Sequence, residues 1–218
     1  MKGLSKDTES VFQSIKNLAL LNEYILIGGT ALSLQIQHRL SEDLDFCKWQ
    51  DDKRLKYLEI RWYEIEKKLK QFGTLKTDIL DFYQVNFYLN DVKISFYSNA
   101  LASFGVVQTS IVYEHIRLAD IRSLGAMKLE VMSRRYQFRD YYDVYSIMLE
   151  GISLKDIVSL CGIYSRHRMK SKMILGVLSN GSLFKQEENF ELLKPKYRVT
   201  SEDIEVYMRE QIKKEYGL

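Results

Sequence analysis

The chain has 218 residues, 46% of them hydrophobic and 28% charged, with a formal net charge of +3. That is enough to bury a core as one large domain or two small ones, and no run approaches the ~18 apolar residues needed to span a bilayer. With three histidines and two well-separated cysteines, Cys47 and Cys161, histidine-based zinc chemistry is not expected and the thiols read as reduced. The first residues, MKGLSKDTESVF, lack an apolar signal core, so a cytoplasmic protein with no membrane partner is expected.

In chain order, Thr8 to Leu21 places apolar residues at helical spacing, which predicts a first helix. Tyr24 to Ile27 is an apolar run of strand type, and Gly28-Gly29 then permits a sharp turn and close backbone approach to a ligand. Thr30 stands at the start of a short helix, where free N–H groups and the positive dipole end favour phosphate. Asp43 and Asp45 follow, read as lying on a strand, where alternate side chains share a face. Two carboxylates beside a phosphate cradle suit a divalent ion of the Mg²⁺ type. Two exposed strand carboxylates and an ordinary tight turn are the plainer alternatives.

Leu55 to Phe72 is amphipathic and closed by Gly73. Gln84 to Leu89, the turn Asn90-Asp91 and Val92 to Ser98 predict a hairpin, with another strand near Val106 to Val112. Beyond Leu118 the signals are helical: Asp120–Arg135, Arg139–Leu149, Leu154–Leu160, Arg166–Leu178 and Ser201–Tyr216, the last with a capped start at Thr200. The fold class expected is α+β: a mixed-sheet domain with flanking helices over 1–114, then a helical bundle over 115–218. The half up to residue 112 is neutral, and the rest carries the whole +3. Within it Arg166, Arg168, Lys170 and Lys172 form an acid-free run, which suits either a polyanion or a solvated helix face.

The string GGTALSLQIQHRLSEDLDF resembles the DNA polymerase β-like nucleotidyltransferase superfamily, and within it the abortive-infection type II toxin branch (AbiEii/AbiGii-like). His38 to Phe46 is the specific part, and DIRSLGAMKLEVMSRRYQFRDYYDVY, Asp120 to Tyr145, resembles the family's later helical motif. The resemblance implies a metal-dependent enzyme that moves a nucleoside monophosphate from a triphosphate to an acceptor hydroxyl, thought to be on tRNA, with Mg²⁺ or Mn²⁺ and a neighbouring antitoxin. It implies metal binding by Asp43 and Asp45, and catalytic roles for these together with Lys128 and Asp143. It places Gly28, Gly29, Thr30, Arg39, Ser41, Ser95 and Lys128 around the nucleotide.

For several of these the sequence also allows a structural role. Ser41 suits a turn cap, and His38 and Arg39 suit a helix end. Lys128 suits a solvated surface, and Arg139 with Asp143 suits an i,i+4 pair. The tyrosines Tyr136, Tyr141, Tyr142 and Tyr145 read as core packing before base stacking. One position departs from the family pattern: Ser95 stands where a third carboxylate is expected. Either Asp91, Asp140 or Asp143 substitutes, or transfer is slow, or the fold only binds nucleotide or RNA. A small-molecule alcohol as acceptor is a further alternative.

Overall fold

Alternation within the strands decides the architecture. Leu44, Phe46, Val85, Phe87, Ile94 and Phe96 lie on one face of a sheet and are fully buried. Asp45, Ser95 and Asn86, one residue out of phase, share the opposite face. The apolar face is covered in part by α1 (Lys6–Ile15), which touches the strand Val92–Asn99, and α3 (Trp62–Leu69), which touches the strand Gln84–Leu89. The polar face is left for a site.

The computed structural model describes residues 2–49, 59–81, 83–99, 109, 111–113, 115–165, 168–185 and 187–217. The strands are β1 (Ile25–Ile27), β2 (Leu44–Trp49), β3 (Leu75–Leu80), β4 (Gln84–Leu89), β5 (Val92–Asn99), β6 (Ile111–Tyr113) and β7 (Ile116–Leu118). They form one sheet in the order β3-β4-β5-β2-β1-β7-β6, with β2/β5 and β1/β7 parallel and the other pairs antiparallel. The remaining helices are α2 (Gly28–Ile36), α4 (Ile121–Met132), α5 (Phe138–Leu149), α6 (Leu154–Tyr164), α7 (Ser171–Leu178) and α8 (Ser201–Tyr216). The α+β class read from the sequence is the one observed.

The hairpin stands where predicted, with Asn90 and Asp91 both at positive φ, +49° and +65°, the conformation a tight two-residue hairpin turn demands. Helix α8 opens on a capping box between Thr200 and Asp203.

Other expectations need correction. The first helix ends at Ile15, and a 3₁₀ turn over Ala19–Glu23 replaces its last part. The second helix starts at Trp62, and the 55–58 portion expected to begin it lies outside the described residues. The strand expected at 106–112 is observed only as Ile111–Tyr113, since 101–108 and 110 lie outside the described residues. Helix α7 begins at Ser171, with Arg166 outside the described residues. Strands β3 and β7 went unpredicted. β3 is an edge strand exposed along most of its length, so it carries no burial pattern. β7 has only three residues, yet it pairs with β1, so the sheet continues past residue 114. No helix among the described residues is long and apolar enough to cross a membrane.

Candidate active site

At the end of β1 the backbone enters α2 through Gly28, at φ +70°. A Cβ there would lie 2.5 Å from Asp45 Oδ2, so this glycine lets the helix start sit directly against the carboxylate. At Gly29 a Cβ would meet Arg39 Nη2 at 2.9 Å and Ser41 Oγ at 3.1 Å. The Thr30 hydroxyl is buried and shared between Ser41 Oγ, 2.9 Å away, and the Asp43 carbonyl. Thr30 and Ser41 therefore clamp the turn that delivers Asp43. Their side chains position the site through these bonds.

Asp43 precedes β2 and is not part of it, which corrects the sequence reading. The two carboxylates are nevertheless close enough to repel. Burial first, then the charge of Asp43, push the Asp45 pKa up to about 6, while the charges of Lys128 and Lys93 oppose the shift. Ser95 pairs in register with Asp45 across β2 and β5 and is fully buried, but its hydroxyl stands outside hydrogen-bonding geometry from any partner.

The helical half supplies the opposing charge. Lys128 on α4 bridges Asp140 Oδ1 and Asp143 Oδ2, each at 2.7 Å. Arg135 reaches Asp140 Oδ2 at 3.0 Å. Arg39 forks onto Asp143, with Nε 2.7 Å from Oδ1 and Nη2 2.9 Å from Oδ2. His38 adds a third contact, Nε2 to Asp143 Oδ1 at 2.7 Å. Asp143 and Asp140 are 0% exposed, Arg39 5% and Lys128 8%. Burial alone would raise the Asp143 pKa, but Arg39, Lys128 and His38 hold it well below the usual carboxylate range. Burial alone would lower Lys128, and the two carboxylates reverse that and hold it above the usual lysine value. Burial lowers the His38 pKa, with Asp143 opposing, so the imidazole is neutral and its Nε2–H donates.

A cleft of about 420 Å³ opens between the two halves, a volume suited to a nucleotide. Gly28, Gly29, Asp45, Lys128, Arg135 and Asp140 are among its polar lining, and Tyr83, Tyr97, Tyr164, Leu124 and Met127 line it as well. Asp43 and Asp45 fit a hard divalent ion of the Mg²⁺ kind, which takes one or two carboxylates and completes its shell with phosphate oxygens and water. Among the described residues no group of three His, Cys, Asp or Glu side chains could hold a metal.

A sequence model of the family described as nucleotidyl transferase AbiEii toxin, type IV TA system, matches residues 11–214. The chain belongs to this family. The AbiEii chain is also 23% identical over 161 residues to an uncharacterised protein of Aquifex aeolicus (strain VF5), covering 73% of this chain and 75% of that one. Among solved structures, its fold is similar to that of MenT4, a nucleotidyltransferase toxin from Mycobacterium tuberculosis H37Rv. The TM-score there is 0.61, with 14% identity, 94% of this chain and 80% of that one covered. A protein from H. pylori, provisionally assigned as a nucleotidyltransferase, aligns over 98% of both chains with a TM-score of 0.51 and 18% identity. ANT(2″)-Ia, solved with adenylyl-2″-tobramycin, aligns over 73% of this chain and 96% of that one with a TM-score of 0.52 and 12% identity.

In the AbiEii chain, the cleft brings together Gly28, Gly29, Asp45 and Lys128, whereas Arg39 and Asp143 sit in the buried network and do not line it. Arg139 does not pair with Asp143; it turns away to Glu187, Nη2 to Oε2 at 2.8 Å. Tyr141 and Tyr142 are core residues, as the sequence reading preferred. Of the acids considered as a substitute at Ser95, Asp91 lies in the hairpin turn four residues away, about 13 Å along the strand. Asp143 is enclosed by cations, and only Asp140 reaches the cleft. Arg168, Lys170 and Lys172 are exposed, while Arg166 lies outside the described residues. Sequence reasoning missed Tyr83, Tyr97, Tyr164 and Arg134 as cleft walls. Tyr97 was findable, because it shares the face of Ser95 two residues on; the other three carried no local signal.

Proposed function

We propose that this AbiEii-family protein is a metal-dependent enzyme that transfers a nucleoside monophosphate from a nucleoside triphosphate to a hydroxyl of RNA, with tRNA the first acceptor to test. The acceptor oxygen attacks the α-phosphorus, the bond from that phosphorus to the bridging oxygen breaks, pyrophosphate leaves and the hydroxyl proton is released. The observation that carries this reading is Gly28 at φ +70°, which sets the N-terminus of α2 against Asp45 in one cleft. Asp43 and Asp45 would hold the divalent ion, which neutralises charge on the phosphate oxygens when bound. Gly28, Gly29 and the first N–H groups of α2 would hold phosphate. Lys128 and Arg135 would face the triphosphate tail, and the tyrosines that line the cleft would take the base.

Exposed Arg168, Lys170 and Lys172 follow the cleft residue Tyr164 closely in sequence. With Arg166 they would lead an RNA strand to the site. The toxin family supports a cognate antitoxin, which we take to be a protein, and we assign the action to the cytoplasm. We place the junction of a sheet unit and a helical unit just after β7, with the cleft between them. One observation favours a second reading, a binding module of weak activity: the buried Ser95 hydroxyl, with no partner, stands beside Asp45 where a carboxylate would activate the acceptor. Incubation with each α-labelled triphosphate, Mg²⁺ or Mn²⁺ and total tRNA separates the readings. Label on tRNA supports the enzyme. Label on an added aminoglycoside instead moves the acceptor to small alcohols, and triphosphate binding without transfer supports the module.

A further inference from the structure

The strand register makes Ser95 the neighbour of Asp45, and that hydroxyl is 0% exposed with no hydrogen-bond partner. A neutral serine is a poor ligand for a hard divalent ion, so the described side chains offer a pair of carboxylates and no third. A pair suffices for an ion that arrives on a triphosphate and takes its other ligands from phosphate oxygens and water. A second ion, about 3.5–4 Å from the first, needs its own protein carboxylate.

The helical half holds what replaces it. Lys128 and Arg39 are buried against Asp140 and Asp143, and the half-exposed Arg135 reaches Asp140, so the network carries three cations against two carboxylates. Its surplus is a single positive charge. A third carboxylate with a second divalent ion would also bring a single positive charge in net. The network presents its surplus to the cleft through Lys128 and Arg135, both of which line it, and the charge of Lys128 reaches Asp45. Two grips of 2.7 Å fix the Lys128 ammonium before any ligand enters, which removes a reorganisation cost that a mobile lysine would carry.

We propose that this site works with a single divalent ion, held by Asp43 and Asp45 and carried in with the triphosphate, while the Lys128-centred network stands in for a second ion. The inference rests on the nucleotidyl-transfer reading above.

The test counts bound Mn²⁺ by electron paramagnetic resonance on the full chain, with each of the four α,β-methylene nucleoside triphosphates in turn. The expected result is one Mn²⁺ per chain and no spin-coupled pair in the presence of the analogue that binds. Two ions per chain, or a coupled pair at about 3.5–4 Å, overturn the inference and leave nucleotidyl transfer standing. No retained Mn²⁺ with any analogue defeats the transfer reading and this inference with it. In Ser95→Asp the count should rise to two. A folded Ser95→Asp chain that still holds one ion overturns the assignment of Ser95 as the position that limits the site. If that variant does not fold, the wild-type count alone decides.

Discussion

Replacing Asp143 with asparagine keeps the side-chain volume and removes the charge that three side chains share. Arg39 loses the charge and one arm of its fork, keeping at most one amide oxygen and the Leu40 carbonyl, 2.9 Å from Nη1, at 5% exposure. Lys128 keeps Asp140, so Arg39 bears most of the cost. Stranding one partner of a buried ion pair costs about 3–5 kcal/mol. With a urea m-value of about 3 kcal/mol/M, high in the usual range as suits a chain of this length, the unfolding midpoint should fall by about 1–1.7 M. Urea titrations followed by circular dichroism read this directly. Arg139→Ala serves as the contrast. It breaks the partly exposed pair with Glu187, and should cost no more than about 1 kcal/mol, or about 0.3 M. The pH dependence carries a sign. The native pKa of Asp143 is depressed, so its contribution is complete above the unfolded value of about 4 and is lost as the pH falls further. Wild type and Asp143→Asn should therefore converge below pH ~4. A midpoint shift in Asp143→Asn no larger than that of Arg139→Ala would refute the view that this network braces the two halves.

The carboxylate at Asp45 works the other way. Its native pKa of about 6 lies above the unfolded value, so its charge destabilises the empty protein at neutral pH and the penalty fades as the pH falls from 6 towards 4. Asp45→Asn should raise stability at pH 7.5 by up to about 2–3 kcal/mol, lose that advantage by pH 4 and abolish transfer; thermal melts that show a less stable variant at pH 7.5 would contradict the shift. Gly28→Ala puts a Cβ 2.5 Å from Asp45 Oδ2 at a positive φ. It should cost about 1–3 kcal/mol and abolish Mn²⁺-triphosphate binding, and wild-type affinity by calorimetry would rule out close packing at this turn as a requirement. Neutralising Arg166, Arg168, Lys170 and Lys172 together should flatten the salt dependence of RNA affinity by a slope of up to about 3; an unchanged slope returns the run to a solvated face.

The parts of this site that the sequence revealed are those whose chemistry is local. Gly28, Gly29 and Asp45 are joined by a turn and a strand pairing only 17 residues apart, so spacing alone brought them together. The hairpin at Asn90-Asp91 was legible for the same reason, since two residues dictate its backbone. What stayed hidden depends on burial. At i,i+4 spacing Arg139 was as good a partner for Asp143 as any, yet Asp143 faces inward and Arg139 outward. The charge that pairs with Asp143 comes from Arg39, 104 positions earlier, and no periodicity reports such a contact. The same burial changes what the family residues do. Lys128 reads in the sequence as a mobile phosphate lysine, but in the fold it is an ammonium fixed by two carboxylates. Arg39 reads as a nucleotide contact, but it is spent on holding Asp143. On the proposed reading, a site short of one carboxylate would thus meet the triphosphate with charge already in place, put there by the folding of the helical half onto the sheet.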